Sequence, residues 1–568
     1  MFRKRLVATM MVVAIIALAC GGSASQAPTT QAPGDTAAPP TDVPSNLADN
    51  QVYRVDLGSE PPTLDPTMAQ DSNSIAVLNA LQRPLMYFDK DLKVVPSLAE
   101  SVDVSTDAQT FTFKLRDATY SDGNKIVAGD LVYSWQRLMD PRTAAPYSYV
   151  LEPVVGASEL LGMAGADPAP SAAEMDAAVA ALGVSAPDDS TFVVKLATPA
   201  TYFLTIAALW VTVPLEKSWV ETPGFTEAAN YVGSGPFKLD TWEHQSKVVI
   251  VPSDTWYGQK PTLTRVEFSM LGDPAAAQAA YEAGELDAVA TPSEDNARVT
   301  SDPVLSLDVQ QVPAFSIYYY NFNMAKSPTS NLNFRIALTQ AIDKQALIDT
   351  TFNGTGKVAN SFVMPGIPGS DENLNVYPFD LASAQSHMAT ALQELGVASV
   401  ADLGKISLGF NSGAGHEPKV AFLAEAWSQA FPGLKFDQIG TEFATFLPQR
   451  HGGEYIISRN GWGADYPHAS NQLGGLFTCG GGNNDSAYCN PAFDKLLTEA
   501  ASEPDQDKQV ALYKEAQTIL MTDAPIIPLR FPLATFEIQR YVSGLLITPQ
   551  YAVTPGDQWY ETIQILKQ

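Results

Sequence analysis

Two stretches of this chain hold the residue types that chemistry needs. The first is Gly461-Trp462-Gly463-Ala464-Asp465-Tyr466-Pro467, an acid and an indole set among two glycines and a proline. Asp465 is either a turn-forming residue ahead of Tyr-Pro or a carboxylate placed to meet a positive group. The second stretch carries Cys479 and Cys489 around a polar, glycine-rich loop. Two cysteines without nearby histidines make a poor zinc set. In an oxidising compartment they form a disulfide, and closing that loop contributes about 3 kcal/mol by the chain-entropy estimate. Catalytic signatures are missing: there is no Gly-x-Ser-x-Gly elbow, no His-Glu-x-x-His and no supported Cys–His pair, and the chain has only five histidines. Gly233-Ser234-Gly235-Pro236-Phe237 could imitate a phosphate loop, but it lacks the Lys-Ser/Thr ending and the helix that must follow. No enzyme, cofactor or metal site is expected.

The elements that must position these residues alternate between strand and helix signals, which predicts an α/β class. Thr110 to Arg116 and Thr191 to Leu196 alternate with period two and read as half-buried strands. Asp130 is placed to cap a helix whose apolar face is Leu131, Val132, Trp135, Leu138 and Met139, and Asp140-Pro141 stops it. Residues 333–350 form an amphipathic helix. Residues 492–520 form one or two helices with Asp494 as the capping acid, and the alanine-rich run 171–182 is a peripheral helix. The turn at Gly233 to Phe237 enters a strand.

The amino terminus and the composition set the compartment. Arg3, Lys4 and Arg5 precede an apolar run, Leu6 to Ala19, that is too short to span a bilayer comfortably. It ends in Ala17-Leu18-Ala19-Cys20-Gly21, which resembles a bacterial lipobox and predicts lipidation of Cys20, although Ala17 stands where Leu is usual. Simple secretion with cleavage after a small residue is the alternative. Residues 21–50 are nearly all small or polar, a flexible stalk that cannot bury enough surface to fold. The 568 residues exceed one core, and a net charge of −28 excludes a nucleic-acid partner, which would need a basic stripe.

Segments spread over residues 52–568 together resemble one family. They are Ser59-Glu60-Pro61-Pro62-Thr63-Leu64-Asp65-Pro66, Leu115 to Gly123, Asp130 to Leu138, Gly233 to Phe237, Ala337 to Asp343 and Asn490 to Leu497. With Tyr133 to Leu138, Ala145-Pro146-Tyr147 and the Asp465 motif, they are similar to the peptide-binding class, family 5, of ABC-transporter solute-binding proteins, in the style of its oligopeptide receptors. The resemblance implies a type II periplasmic-binding-protein fold, with two lobes that sandwich the ligand across a hinge and an extra α/β lobe. The implied division is a signal peptide (1–20), the stalk (21–50), lobe I (51–82, 216–316 and 534–568), the extra lobe II (83–215) and lobe III (317–533).

The same resemblance implies the site. Asp465 falls on the position that pairs with the peptide α-amino group, and Gly461 and Gly463 let backbone approach the ligand. Trp462 and Phe443 match aromatic wall positions, Phe443 standing where a Trp is found. Tyr147 matches a contact to the peptide backbone, and Gln70-Asp71-Ser72-Asn73, with Gln70 and Ser72 foremost, an edge that pairs with it. Arg459, Arg450 and His416 match cations that receive the peptide carboxylate, whereas one further cation of the family is replaced by Phe352. His468 stands where many relatives carry an acid. The implied partners are short peptides, the permease of an ABC importer and the cell membrane through a lipid anchor, for a monomer held outside the cytoplasm. A sugar, a metal complex, a murein peptide or a sensory role are the competing readings, and the Asp465 motif favours an amine-bearing ligand.

Overall fold

The period-two alternation at Thr110–Leu115 and Thr191–Lys195 becomes two antiparallel strands with Phe113 opposite Phe192, both phenylalanines buried. The structure, a computed structural model, describes residues 46–412 and 415–568. The signal segment, Cys20 and the stalk to Ser45 lie outside the described residues. The two strands are the middle of a four-stranded sheet, flanked by Ala99–Val104 and Val184–Asp188. Helix Ala128–Met139 covers this sheet with Leu131, Trp135 and Leu138, and the Trp135 ring lies 5.1 Å from that of Phe192. Asp130 is not the cap residue predicted for this helix. The extended residue Val127 begins the helix, and Asp130, one turn in, reaches back to accept the Val127 N–H at 3.0 Å.

A seven-stranded sheet gathers the start, middle and end of the chain. Its order is Val309–Pro313, Leu533–Ile538, Ala288–Ala290, Val52–Asp56, Arg265–Ser269, Lys247–Pro252 and Phe237–Glu243. Residues 46–50, assigned above to the stalk, belong to the fold instead. Leu47 bridges Leu566, and the Ala48 N–H donates to Ile565 O at 2.8 Å. The turn before Phe237–Glu243 explains its two glycines. A Cβ on Gly233 or Gly235 would lie 2.4 Å from Leu81 O or 2.5 Å from Ala80 O, so only glycine lets the turn seat on the end of helix Ser72–Leu81.

A third sheet has six strands, ordered Lys357–Val358, Ile526–Phe531, Ser316–Phe322, Ile457–Gly463, Lys405–Asn411 and Lys435–Thr441. Both its faces are covered. Phe322, Phe334, Leu338, Leu408 and Trp427 fill one side, and Tyr319, Phe362, Leu473 and Tyr513 the other. Burial on two faces is why Ser316–Phe322 reads as a nearly continuous apolar run. The single helix predicted over 333–350 is two, Leu332–Gln340 and Lys344–Thr351. Asp343 breaks the run by capping the second helix, accepting the Ala346 N–H at 2.9 Å. Residues 492–520 also form two helices, Pro491–Ser502 and Gln506–Asp523. They are capped by Asn490 and Asp505 and not by Asp494, which lies in the first turn and accepts the Cys479 N–H. The alanine-rich helix, Ala172–Ala180, buries Ala178 alone.

The chain crosses between the two large sheets at residues 313–316 and again at 531–533. The crossings run side by side, tied by the Ala314 N–H to Pro532 O at 3.1 Å. Two short adjacent segments of this kind can absorb a rotation of one body against another without disturbing either core.

Candidate functional site

Asp465 follows strand Ile457–Gly463 and precedes helix Ala469–Phe477, so the sheet fixes it from one side and the helix from the other. Asn471 braces it twice. Asn471 Oδ1 accepts the Asp465 N–H at 3.0 Å, and Asn471 Nδ2 donates to Asp465 Oδ2 at 2.8 Å. From the segment that follows helix Ala128–Met139, Tyr147 donates its hydroxyl to Oδ1 and Tyr149 donates to Oδ2, each at 3.1 Å. All three side-chain donors are neutral. Among the described residues no cation lies within ion-pairing distance of this carboxylate. Burial raises the Asp465 pKa, and the three hydrogen bonds only offset part of that rise. The carboxylate is therefore oriented and desolvated but lacks a positive partner, which is a half-built ion pair.

Tyr147 is held by its own neighbours. Its ring packs against Trp210 at 4.8 Å, and Trp210 Nε1 donates to Ala69 O at 3.0 Å. That bond brings the loop before helix Ser72–Leu81 beside the tyrosines. Gln70 and Ser72 are exposed there, on a loop running into a helix N-terminus and not on the strand edge implied by the resemblance, because Asp71 caps the helix. Trp462 is half-buried and donates Nε1 to Asn471 Oδ1 at 3.2 Å, so the residue that braces Asp465 also fixes the indole. Gly463 faces open space. Phe443, the first residue of helix Phe443–His451, is 50% exposed.

The three predicted cations differ in state. Arg450 is committed: it pairs with the buried Asp485 at 2.9 Å and donates to Asn460 at 2.8 Å. Arg459 donates to Asn411 Oδ1 at 3.2 Å and lies over the Tyr318 ring at 5.1 Å. Gly461 leaves room for it, since a Cβ there would be 3.2 Å from Arg459 Nη2. His416 is buried with Nδ1 3.2 Å from the Tyr318 hydroxyl. Burial first, then Arg459 and Lys419, lower its pKa to about 4, so at neutral pH it offers a hydrogen bond and no charge.

Tyr149 is not legible in the sequence. It lies two residues beyond Tyr147, but nothing local distinguishes a carboxylate partner from a surface tyrosine. His468 caps helix Ala469–Phe477, with Nδ1 accepting the Ser470 N–H at 3.2 Å and Nε2 3.3 Å from Gln509 Oε1. It stacks on Tyr202 at 5.4 Å, where Tyr466 also lies against the same ring at 6.2 Å. Thr201 donates to Ala501 O from its backbone at 3.0 Å and accepts from Gln509 Nε2 at 2.6 Å. An acid at position 468 would have to be desolvated against this ring, whereas burial holds the imidazole neutral with a pKa of about 4. Cys479 and Cys489 are joined in a disulfide with Cα atoms 4.4 Å apart. No cluster of His, Cys, Asp and Glu among the described residues could hold a metal ion.

The model of the bacterial extracellular solute-binding proteins, family 5 Middle, matches residues 93–484. The chain is 28% identical over 506 residues to the oligopeptide-binding protein of Bacillus subtilis, covering 87% of this chain and 90% of that one. It is 30% identical over 516 residues to the periplasmic murein peptide-binding protein of Escherichia coli, covering 89% and 91%. The fold superposes on the crystal structure of the Haemophilus influenzae oligopeptide-binding protein in complex with the peptide RPPGFSPFR. That match has a TM-score of 0.75, 28% identity, and coverage of 92% of this chain and 100% of that chain.

Proposed function

The chain belongs to the bacterial extracellular solute-binding proteins of family 5, and from that premise we propose that it captures short peptides outside the cytoplasm and delivers them to the permease of an ABC importer. The fold is the type II periplasmic-binding-protein fold of its structural relatives, and its family consists of substrate-binding proteins and not enzymes. The observation that carries the peptide reading is the half-built ion pair at Asp465. A protonated α-amino group is the element common to all free peptides, and it supplies the charge that the site lacks. Tyr147 and Tyr149 already join Asp465 from the other side; opening about the paired crossings at 313–316 and 531–533 would part them to admit the ammonium, and ligand contacts to both sides then favour the closed state. Lipidation of Cys20, with residues 21–45 as a tether, supplies the attachment. No helix among the described residues is long and apolar enough to cross a membrane.

Calorimetric titration tests this reading, using protein stripped of ligand by unfolding and refolding against di- to hexapeptides. Micromolar or tighter binding, about −8 kcal/mol or better, is the expected result, and absence of heat from folded protein with every peptide contradicts it.

A pH dependence follows from the raised Asp465 pKa. Binding needs the carboxylate ionised, and a seated ammonium lowers its pKa again. Affinity therefore falls on acidification, approaching about tenfold per pH unit once the free site is protonated. The fall should begin at higher pH than for a solvated aspartate. A peptide Kd measured across the acid range checks this, and an affinity that rises on acidification would contradict it.

A further inference from the structure

The sheet whose strand leads into Asp465, with the helix beside it, carries a group of cations that no carboxylate pairs with among the described residues. Arg459 and Arg530 lie on the two strands flanking Ser316–Phe322, Arg459 opposite Tyr320 and Arg530 opposite Tyr318. Lys419 stands in the first turn of helix Glu417–Ala430, whose N-cap is His416. Arg530 and Lys419 approach the same ring, Phe352, at 4.3 and 4.7 Å. Phe352 in turn packs edge-on against Tyr318 at 5.2 Å, the ring under Arg459. The three cations are held by rings and neutral acceptors. Arg530 donates to Thr355 O at 2.6 Å and Thr355 Oγ1 at 2.9 Å, Lys419 to Gly415 O at 2.8 Å and Arg459 to Asn411 Oδ1 at 3.2 Å.

Among the described residues no carboxylate pairs with Arg459, Arg530 or Lys419, in a chain with a net charge of −28. Arg450, on the helix that precedes the Arg459 strand, shows the contrast, because its charge is cancelled by Asp485.

Burial and the neighbouring charge act on these cations. Burial first and then Arg530 lower the Lys419 pKa, with Glu417 acting the other way, and burial lowers that of Arg530 to about 10. Local backbone accommodates the arrangement. Gly356 has φ +92°, and a Cβ there would lie 2.6 Å from Arg530 Nε. Arg459 meets Asn411 at the carboxyl end of strand Lys405–Asn411, ahead of the N-terminus of helix Glu417–Ala430, a position that suits an anion in this class of sheet.

We propose that Arg459, Arg530 and Lys419 form an anion subsite for the far end of the ligand, and that it selects amine-bearing ligands with two carboxylates there. Peptides ending in Asp or Glu have this chemistry. The inference rests on the peptide reading of Asp465. Arg530 and Lys419 stand in for the cation that Phe352 replaces, one α-carboxylate neutralises only part of the group, and a second carboxylate answers the rest. Arg459 and Asp465 are six residues apart, no more than about 20 Å of extended chain, which leaves room for a peptide of a few residues.

The test is calorimetry on the full chain with Ala-Ala-Glu and Ala-Ala-Gln, near-isosteric peptides that differ in one charge. The acidic peptide should bind at least tenfold more tightly. In Arg530→Gln, and separately in the less deeply buried Lys419→Gln, the Glu-to-Gln preference should shrink at least threefold, so the prediction survives misfolding of either variant. Equal binding of the two peptides by the native protein overturns this inference and leaves the peptide reading standing, as does an undiminished preference in both variants. Absence of binding by either peptide overturns both. A murein tripeptide measured alongside separates the two sources of a second carboxylate. Tighter binding than Ala-Ala-Glu assigns it to a cell-wall fragment, and weaker binding to a protein-derived peptide.

Discussion

Asp465→Asn is expected to weaken binding of a free-amine peptide by about 3–5 kcal/mol, roughly a hundredfold to several thousandfold, while the ligand-free protein melts no earlier than the native one. The two halves of this prediction have one cause. The carboxylate is held by Tyr147, Tyr149 and Asn471 without a positive partner, so its charge is favourable only when the ligand supplies one. The sign follows from linkage. A half-buried acid whose folded pKa is raised by desolvation contributes stability at low pH that is lost as pH rises through that pKa, so once ionised the group counts against the empty fold. Asparagine keeps the size and an acceptor oxygen and removes the charge. Calorimetry and thermal melting on the same preparation read both halves. A variant that loses binding because it melts earlier would assign Asp465 a structural role.

The second large effect lies away from the ligand. Asp65→Ala should destabilise the protein by about 3–5 kcal/mol, because it strands Arg137 in a largely buried ion pair. Arg137 meets Asp65 through two bonds, at 2.8 and 2.6 Å, and the side chains are 16% and 7% exposed. Asp65 also receives the Thr67 N–H at 3.0 Å, so its loss frees the loop that leads to helix Ser72–Leu81. The pair fastens that loop to helix Ala128–Met139, which covers the four-stranded sheet. Denaturant unfolding measures the loss, and a change below about 1 kcal/mol would place the pair with solvent-screened surface bridges.

These residues show what a sequence can and cannot carry. The period-two strands at Thr110–Leu115 and Thr191–Lys195 are readable because their signal is local, and Asp465 stands out as a candidate because its motif is contiguous. Asp65 and Arg137 each stand inside a segment that resembles the family, yet their pairing across 72 positions cannot be seen from either. Helix ends are misplaced wherever an acid inside the first turn is read as a cap, as at Asp130 and Asp494. The break at Asp343 is hidden by apolar periodicity that continues across it. In the candidate site, the loss of a cation at Phe352 is legible. Its neighbours Arg530 and Lys419 are not, because a lone arginine in a strand and a lysine in a first turn look like solvated surface until the fold brings them to one ring. Likewise Arg450 and Arg459 look equivalent in the sequence, and only Asp485 separates them.

The most direct test of the central claim compares one tripeptide with its N-acetylated form by calorimetry on the native protein at neutral pH. Acetylation removes the ammonium and leaves the backbone and carboxylate in place. The acetylated peptide is expected to bind at least about a hundredfold more weakly, since it leaves the desolvated Asp465 carboxylate without its partner. Equal affinity for the two forms would remove Asp465 from the binding site.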